Sequence, residues 1–355
     1  MLTPTQTASD VLIIGGGIIG ASVAWRLAQR KVRVTVVEAR QWGGEASWAG
    51  AGMLVPGSEY EEASDALRFA LRSLTLYPEF VRELSEAAGR PIDFALCGSI
   101  ELAGTEEELQ SIGERVRRQA QLQIRAERLT RDDLTGIIPG IDPDLAGGYL
   151  YRGEGQVDPR TVMAALRVAC ERAGVEILEN EPVVALEWDR ASLYASVGSG
   201  KILRAGSGML AAGAWASQLG KFLPATFPVK GHLIGYPLQA GSLPHVLRYH
   251  HTYLVQRQSG YTIAGTNEER AAYDRVVNPE TCVEIAARAR KLWTALPEQA
   301  TDGWIGFRPG VNADGPYLGR WKDSPLWLAY GHYRNGILLA PATAERLSMQ
   351  IVESL

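Results

Sequence analysis

Three cysteines are all the chain has, and Cys97, Cys170 and Cys282 stand far apart with no Cys-x-x-Cys spacing. Neither a disulfide framework nor a thiolate zinc site is expected, and each cysteine reads as a small buried hydrophobe. Net charge is nearly absent too, because 36 Lys and Arg stand against 40 Asp and Glu, leaving −4. That balance lacks the basic field that nucleic acid or an anionic membrane surface would attract. No apolar run approaches the roughly 20 residues of a membrane span. Residues 1–9 carry no Lys or Arg and no apolar stretch, so no secretory leader is read there. Repeats and low-complexity segments are missing as well. The expectation is a soluble cytoplasmic protein whose 355 residues, 46% of them hydrophobic, can bury a sizeable core, in about two domains.

Residues 11–14, Val-Leu-Ile-Ile, suit a strand buried on both faces of a parallel sheet. Gly15, Gly17 and Gly20 follow at the spacing G-x-G-x-x-G, and Ser22, Val23, Trp25, Leu27 and Ala28 continue as a helix ending near Arg30 and Lys31. A second strand over 32–37 stops at Glu38. The first glycine makes the tight turn, the second lets the backbone approach a pyrophosphate, and the third lets helix and strand pack closely. The helix N-terminus offers free N–H groups to phosphates. A carboxylate at the end of the second strand accepts from ribose hydroxyls and repels a 2′-phosphate. Strand, turn, helix, strand and acid together fit a Rossmann-like dinucleotide site. The motif leaves FAD and NAD both open.

Residues 41–53 hold four glycines, Ser47 and the large apolar Trp42, Trp48 and Met53. A plain linker has no need of those three, so the loop is read as cofactor-contacting, and contact this far beyond the first unit favours a flavin. Further on, the spacing predicts an amphipathic helix over 64–88, capped by Ser64 and kinked at Pro78. Asp158 and Pro159 open another helix that Gly174 closes. Strands are predicted at 98–103, 147–151, 175–178 and 182–188, a hairpin at 198–201, and a buried strand from Gly208 into Gly213. Residues 227–236, 252–257 and 261–265 read as a second, largely antiparallel sheet. A helix over 279–296, short strands over 303–330 and a terminal helix to 352 complete the chain.

Those glycine motifs, Gly306-Phe-Arg308-Pro-Gly310, and above all Gly331-His-Tyr-Arg-Asn-Gly-Ile-Leu-Leu-Ala-Pro341 resemble the D-amino-acid oxidase family of flavoproteins over nearly the whole chain. The nearest likeness is to its bacterial glycine-oxidising branch, linked to thiamine biosynthesis. The resemblance implies an α/β fold with an α+β second domain. A Rossmann-like FAD-binding domain would be assembled from 1–90, 150–225 and 303–355, and a discontinuous antiparallel-sheet substrate domain from 91–149 and 226–302. It also implies non-covalent FAD, which agrees with the lack of a cysteine near Arg308.

By the same resemblance Arg308 grips the substrate carboxylate, Tyr253 is the pocket tyrosine, Arg334 is a second arginine near substrate and flavin, and Met53 borders the substrate. A guanidinium fork suits a carboxylate at any working pH, and the apolar setting of Arg308 argues against a surface ion pair. Ile18, Ile19, Glu38, Ala39, Ala46 and Ser47 would line the cofactor, as would Ala51, Gly52, Met53 and Val183. Gly15, Gly17, Gly20 and Gly213 would approach it with bare backbone. His332, Tyr333, Arg334, Asn335, Gly336, Ile337 and Leu338 would meet it from the start of the terminal helix, whose positive end would stabilise reduced flavin. Trp48, expected close to the flavin, departs from the family pattern. So do Gln256, Asn267 and Glu268, expected near the pocket.

The implied reaction is oxidation of glycine or a similar small amine to the imine, then glyoxylate and ammonia, with oxygen reduced to hydrogen peroxide. No side-chain base is required. His251 and His332 hold suitable positions, yet a structural role suits each better. Sarcosine or proline oxidation and a D-amino-acid dehydrogenase with another acceptor are alternatives. So are an NAD-dependent dehydrogenase and a non-catalytic flavin-binding protein. No metal is expected, and a homo-oligomer is left open.

Overall fold

The structure, a computed structural model, describes residues 8–270 and 272–355. Strand β1 (Ala8–Ile14) leads through Gly15 into helix α1 (Ile18–Gln29), which returns to strand β2 (Val34–Val37). β1 lies parallel to β2, with Ile14 opposite Val37, and on its other side parallel to Ile202–Leu210. Glu176–Leu178 and Leu326–Tyr330 extend this parallel centre at its two edges. Antiparallel strands Leu193–Val197, Val183–Trp188 and Tyr317–Arg320 complete eight strands.

Successive side chains of a strand face opposite ways, and residues 11–14 of β1 show why that half of the strand is apolar on both faces. Val11 and Ile13 join a core with the helices Ile18–Gln29, Asp65–Ala88, Pro159–Arg172 and Gly336–Ser354. Leu12 and Ile14 join another with the antiparallel strands and residues 210–223. The hairpin strand and the strand from Gly208 are one element, Ile202–Leu210, and Gly213 opens a short 3-10 turn, Gly213–Leu219.

The second sheet also has eight strands, ordered from Asp302–Val311 through Thr226–Pro237 to Tyr261–Gly265, Thr252–Gln256 and Val246–Tyr249, and then to Ser99–Ala103, Gly147–Tyr151 and Glu127–Thr130. Its pairings are antiparallel except for Val246–Tyr249 on Ser99–Ala103, which are parallel. Helix Pro279–Leu292 covers one face. Two of these strands carry no signal in sequence. Glu127–Thr130 is a short polar edge, and Val246–Tyr249 is four residues set between a proline and a turn. The glycine-broken stretch after 302, grouped by sequence with the cofactor-binding pieces, is one ten-residue strand that pairs with Thr226–Pro237 along its whole length. The return to the first sheet comes with Tyr317–Arg320.

The long helix Asp65–Ala88 begins as its sequence implies, with Ser64 Oγ accepting from the Leu67 amide, and it runs through Pro78. The terminal helix Gly336–Ser354 carries Pro341. Proline has no N–H, so the Ile337 carbonyl one turn earlier loses its helical donor. Tyr77 replaces it from the long helix, its hydroxyl donating to that carbonyl at 2.5 Å. Ser73 Oγ accepts the next amide, that of Ala342, at 3.1 Å. Among the described residues no helix is long and apolar enough to cross a membrane.

Tyr77 is fully buried, so Tyr77→Phe strands a carbonyl away from water. Such an orphan costs about 1–3 kcal/mol. The expected outcome is a lower urea midpoint at an unchanged slope. A midpoint equal to that of the parent chain would show that the helix start does not need this bond.

Candidate active site

Both sheets contribute to a cavity of about 820 Å³, towards the upper end of the roughly 300–1,000 Å³ typical of ligand pockets. One part is built from the first turn. Gly15 has φ +111°, and a Cβ there would sit 2.5 Å from the Ala211 carbonyl oxygen, so the position admits only glycine. At the α1 N-terminus the Ile18 amide donates to Ser47 Oγ at 2.9 Å. Glu38, at the end of β2, accepts from the Gly16 and Arg40 amides at 2.7 and 2.9 Å. Burial raises its pKa against the pull of those two donors.

The other part is carried by the second sheet. Arg308 stands on Asp302–Val311, opposite Val229 of the neighbouring strand. Its guanidinium donates to Thr266 Oγ1 at 2.9 Å and to the Asn267 carbonyl at 3.2 Å. It has no carboxylate partner among the described residues. Gly231 makes room for it, since a Cβ there would lie 2.5 Å from the guanidinium. Tyr253 is buried and its pKa is raised by that burial, so the phenol stays protonated. Arg334 is shared between two acids, with Nε 3.0 Å from Glu59 and a terminal nitrogen 3.5 Å from Glu268. Glu59 also meets Arg248 at 2.6 Å.

Most residues singled out from sequence line this cavity. Gly15, Gly17, Ile18, Ile19, Glu38 and Ala39 do so, as do Ala46, Ser47, Ala51, Gly52, Met53, Val183 and Gly213. Tyr253, Arg308, His332, Tyr333, Arg334, Asn335, Gly336 and Ile337 also line it. Gly20 does not. A side chain there would overlap the Gly15 carbonyl, so its part is close packing. Leu338 turns into the core behind the first turn of its helix.

Trp48, expected beside the ligand, faces away from the cavity. Its ring lies edge-on to Trp304 and 3.8 Å from the Arg160 guanidinium. Gln256, expected near the pocket, lies in a separate cavity of about 170 Å³, where its amide bonds Ser242 and Thr262. Asn267 reaches the site only through its carbonyl. Of the two histidines, His251 lines the cavity and its carbonyl accepts the Thr266 amide. His332 borders the cavity but its side chain is buried, with Nε2 3.2 Å from Thr343 Oγ1.

Glu59, Arg248, Thr266 and Gly231 were not legible as site residues. Glu59 belongs to a polar run that reads as solvated surface, and Arg248 sits on the strand that sequence does not show. Gly231 has no positive φ, and its bareness is explained only by the guanidinium of Arg308 lying against it, a contact 77 residues away that local sequence does not signal. Among the described residues, no group of three or more His, Cys, Asp or Glu side chains could hold a metal ion.

Comparisons with known proteins converge. The sequence model of one family, described as FAD dependent oxidoreductase, matches residues 10–349. The bifunctional protein ThiO/ThiG of Synechocystis is 36% identical over 98% of the chain, which spans about half (52%) of that relative's length. Glycine oxidase of Bacillus subtilis is 30% identical over 96% of the chain and 92% of its own. The crystal structure of glycine oxidase from Geobacillus kaustophilus superposes with a TM-score of 0.93 at 32% identity, covering 98% of this chain and 95% of that one.

Burial pushes the His332 pKa down to about 3, against about 6.5 in an unfolded chain. Below pH ~6.5 the unfolded chain takes up a proton that the folded one refuses, so stability falls by about 1.4 kcal/mol per pH unit from this group. The loss ends near pH 3. Urea denaturation at pH 7.5 and 5.0 should show the parent chain losing about 2 kcal/mol more than His332→Gln does. Equal losses in the two would mean that the ring ionises normally in the folded protein.

Proposed function

Because the chain belongs to the family of FAD dependent oxidoreductases, we propose that it oxidises glycine or a comparably small amine in this cavity. The imine formed would add water to give glyoxylate and ammonia, and oxygen would leave as hydrogen peroxide. A place in thiamine biosynthesis belongs to the same reading. The observation that carries it is Arg308, a cavity-lining guanidinium fixed by neutral acceptors and left without a counter-ion among the described residues.

The residues fit the cofactor. Gly15, Gly17 and Gly52 present bare backbone to the cavity, and a Cβ on Gly213 would project into open space, with no atom within 4 Å. Glu38 stands at the strand end, where ribose hydroxyls need an acceptor. Non-covalent binding belongs to the same reading, and no cysteine thiol lines the cavity to attach a flavin. When bound, FAD supplies a two-electron acceptor for the amine Cα–H and returns the electrons to oxygen.

The chain's own groups bind and orient the substrate. Arg308 offers a planar fork to one carboxylate, worth more than a lysine because two parallel bonds fix direction as well as distance. Thr266 and Asn267 hold the guanidinium so that the fork keeps one orientation. Tyr253, kept protonated by burial, is a neutral donor beside it. The first turn of Gly336–Ser354 lines the cavity with its positive end and favours negative charge appearing there. His332 is neutral and tied to Thr343, so it takes no part as a base. Removal of the ammonium proton is left to solvent.

The test is the visible spectrum of the purified protein before and after anaerobic glycine. Flavin bands that bleach with glycine and return with air support the reading, and a yellow protein indifferent to glycine overturns that substrate. Arg308→Lys should keep the flavin spectrum and lower kcat/KM roughly ten- to a hundred-fold, the value of a charge-assisted bond of about 1.5–3 kcal/mol. An unchanged kcat/KM would remove Arg308 from substrate binding.

A further inference from the structure

The wall around Tyr253 holds more charge than one substrate carboxylate requires. Arg248 lies opposite Tyr253 in the sheet, and both Arg248 and Arg308 act on its phenol. Arg334 and Glu268 line the same cavity, as does Glu59. Three guanidinium groups against two carboxylates leave one positive charge, and among the described residues it is Arg308 that has no acidic partner.

Glu59 is the centre of this arrangement. Its side chain is 6% exposed, and its two oxygens form ion pairs with different arginines, Oε1 with Arg248 at 2.6 Å and Oε2 with Arg334 at 3.0 Å, the latter without hydrogen-bond geometry. It is presented by the short turn Pro56–Glu59, which is pinned at the two residues before it, Gly57 and Ser58. The buried Glu154 carboxylate accepts from the Gly57 amide at 2.6 Å and from Ser99 Oγ. Arg248 also donates to Ser58 Oγ. A carboxylate held between two guanidinium groups inside a ligand cavity is what a bound acid would look like.

We propose that Glu59 is a specificity-determining residue, whose carboxylate fills the seat that the second carboxylate of a dicarboxylic amine would take. Substrates with one carboxylate are thereby selected. A second substrate anion meets arginines that are already paired and an acid that repels it, most strongly at the Arg248 end, where the guanidinium side chain is 13% exposed against 44% for Arg334. The inference rests on the amine-oxidase reading for its substrates, while the binding preference can be measured without turnover.

The experiment compares the parent holoenzyme with Glu59→Gln, which keeps the shape and removes the charge. The ratio of kcat/KM for D-aspartate or iminodiacetate to that for glycine should rise about ten- to a hundred-fold. Calorimetric affinity for malonate relative to acetate should rise in parallel. Adding Arg248→Gln to Glu59→Gln should take most of that gain away. Glycine and dicarboxylate activities that fall together at a constant ratio would overturn the proposal and leave Glu59 a structural residue. If Glu59→Gln does not fold, Arg248→Gln alone decides, because it leaves Glu59 less compensated. Malonate affinity should then fall relative to acetate, and an unchanged ratio overturns the proposal. A parent enzyme that oxidises no amine would end the amine-oxidase reading, and the malonate-to-acetate ratio would still decide whether Glu59 excludes a second carboxylate.

Discussion

An arginine held by a carbonyl and a hydroxyl, with no acid among the described residues to neutralise it, is the constraint that the substrate half of the molecule serves. A buried or half-buried charge is tolerable only if its hydrogen bonds are satisfied. Arg308 meets that condition with Thr266 and Asn267, and each of these is held in turn. Thr266 Oγ1 donates to the His232 carbonyl. Asn267 Oδ1 accepts the His232 amide at 2.8 Å and lies 3.2 Å from the ring Nδ1. The other ring nitrogen accepts the Asn278 amide at 3.0 Å, so the histidine donates from Nδ1 and accepts at Nε2. A buried neutral imidazole, two neighbouring strands and one bare glycine thus combine to keep a single cation in place without cancelling it.

The cavity is electrostatically divided. Where the first turn lies, a carboxylate at a strand end and the start of α1 provide an acceptor and a positive pole. Where the second sheet lies, guanidinium groups outnumber acids by one. The loop that joins them, from Ala46 to Met53, is anchored from outside by the Trp304 indole on the Ala49 carbonyl and by Arg257 on that of Ala51. Arg257 is itself buried, and two further donors, both on Nη1, go to Gln156 and the Val157 carbonyl. These contacts tie the loop to the second sheet.

Local chemistry was the legible part of the sequence. The first strand, the glycine turn, α1 and Glu38 follow from residues close together in the chain, and so do the caps at Ser64 and Asp158. Arg308 and Tyr253 were accessible through a family likeness. What stayed hidden depends on partners far away. Glu59 has the neighbours of a surface acid, and only a strand some 190 residues later, carrying Arg248, turns it into a buried bridge. Trp48 was misjudged for the same reason, because Arg160 and Trp304 draw its ring outward. Gln256 faces the opposite side of its strand from the site, a consequence of the two-residue period that sequence alone could not orient.

The gap at Pro341 is closed by Tyr77 and Ser73, whose bonds span 260 and 269 residues of chain. The helix start that lines the cavity is therefore finished by a helix made long before it. During synthesis the earlier helix exists without its partner, and the later one has no sound first turns of its own. Completion of that wall brings together stretches some 260 residues apart, a non-local event that is slow beside local helix formation.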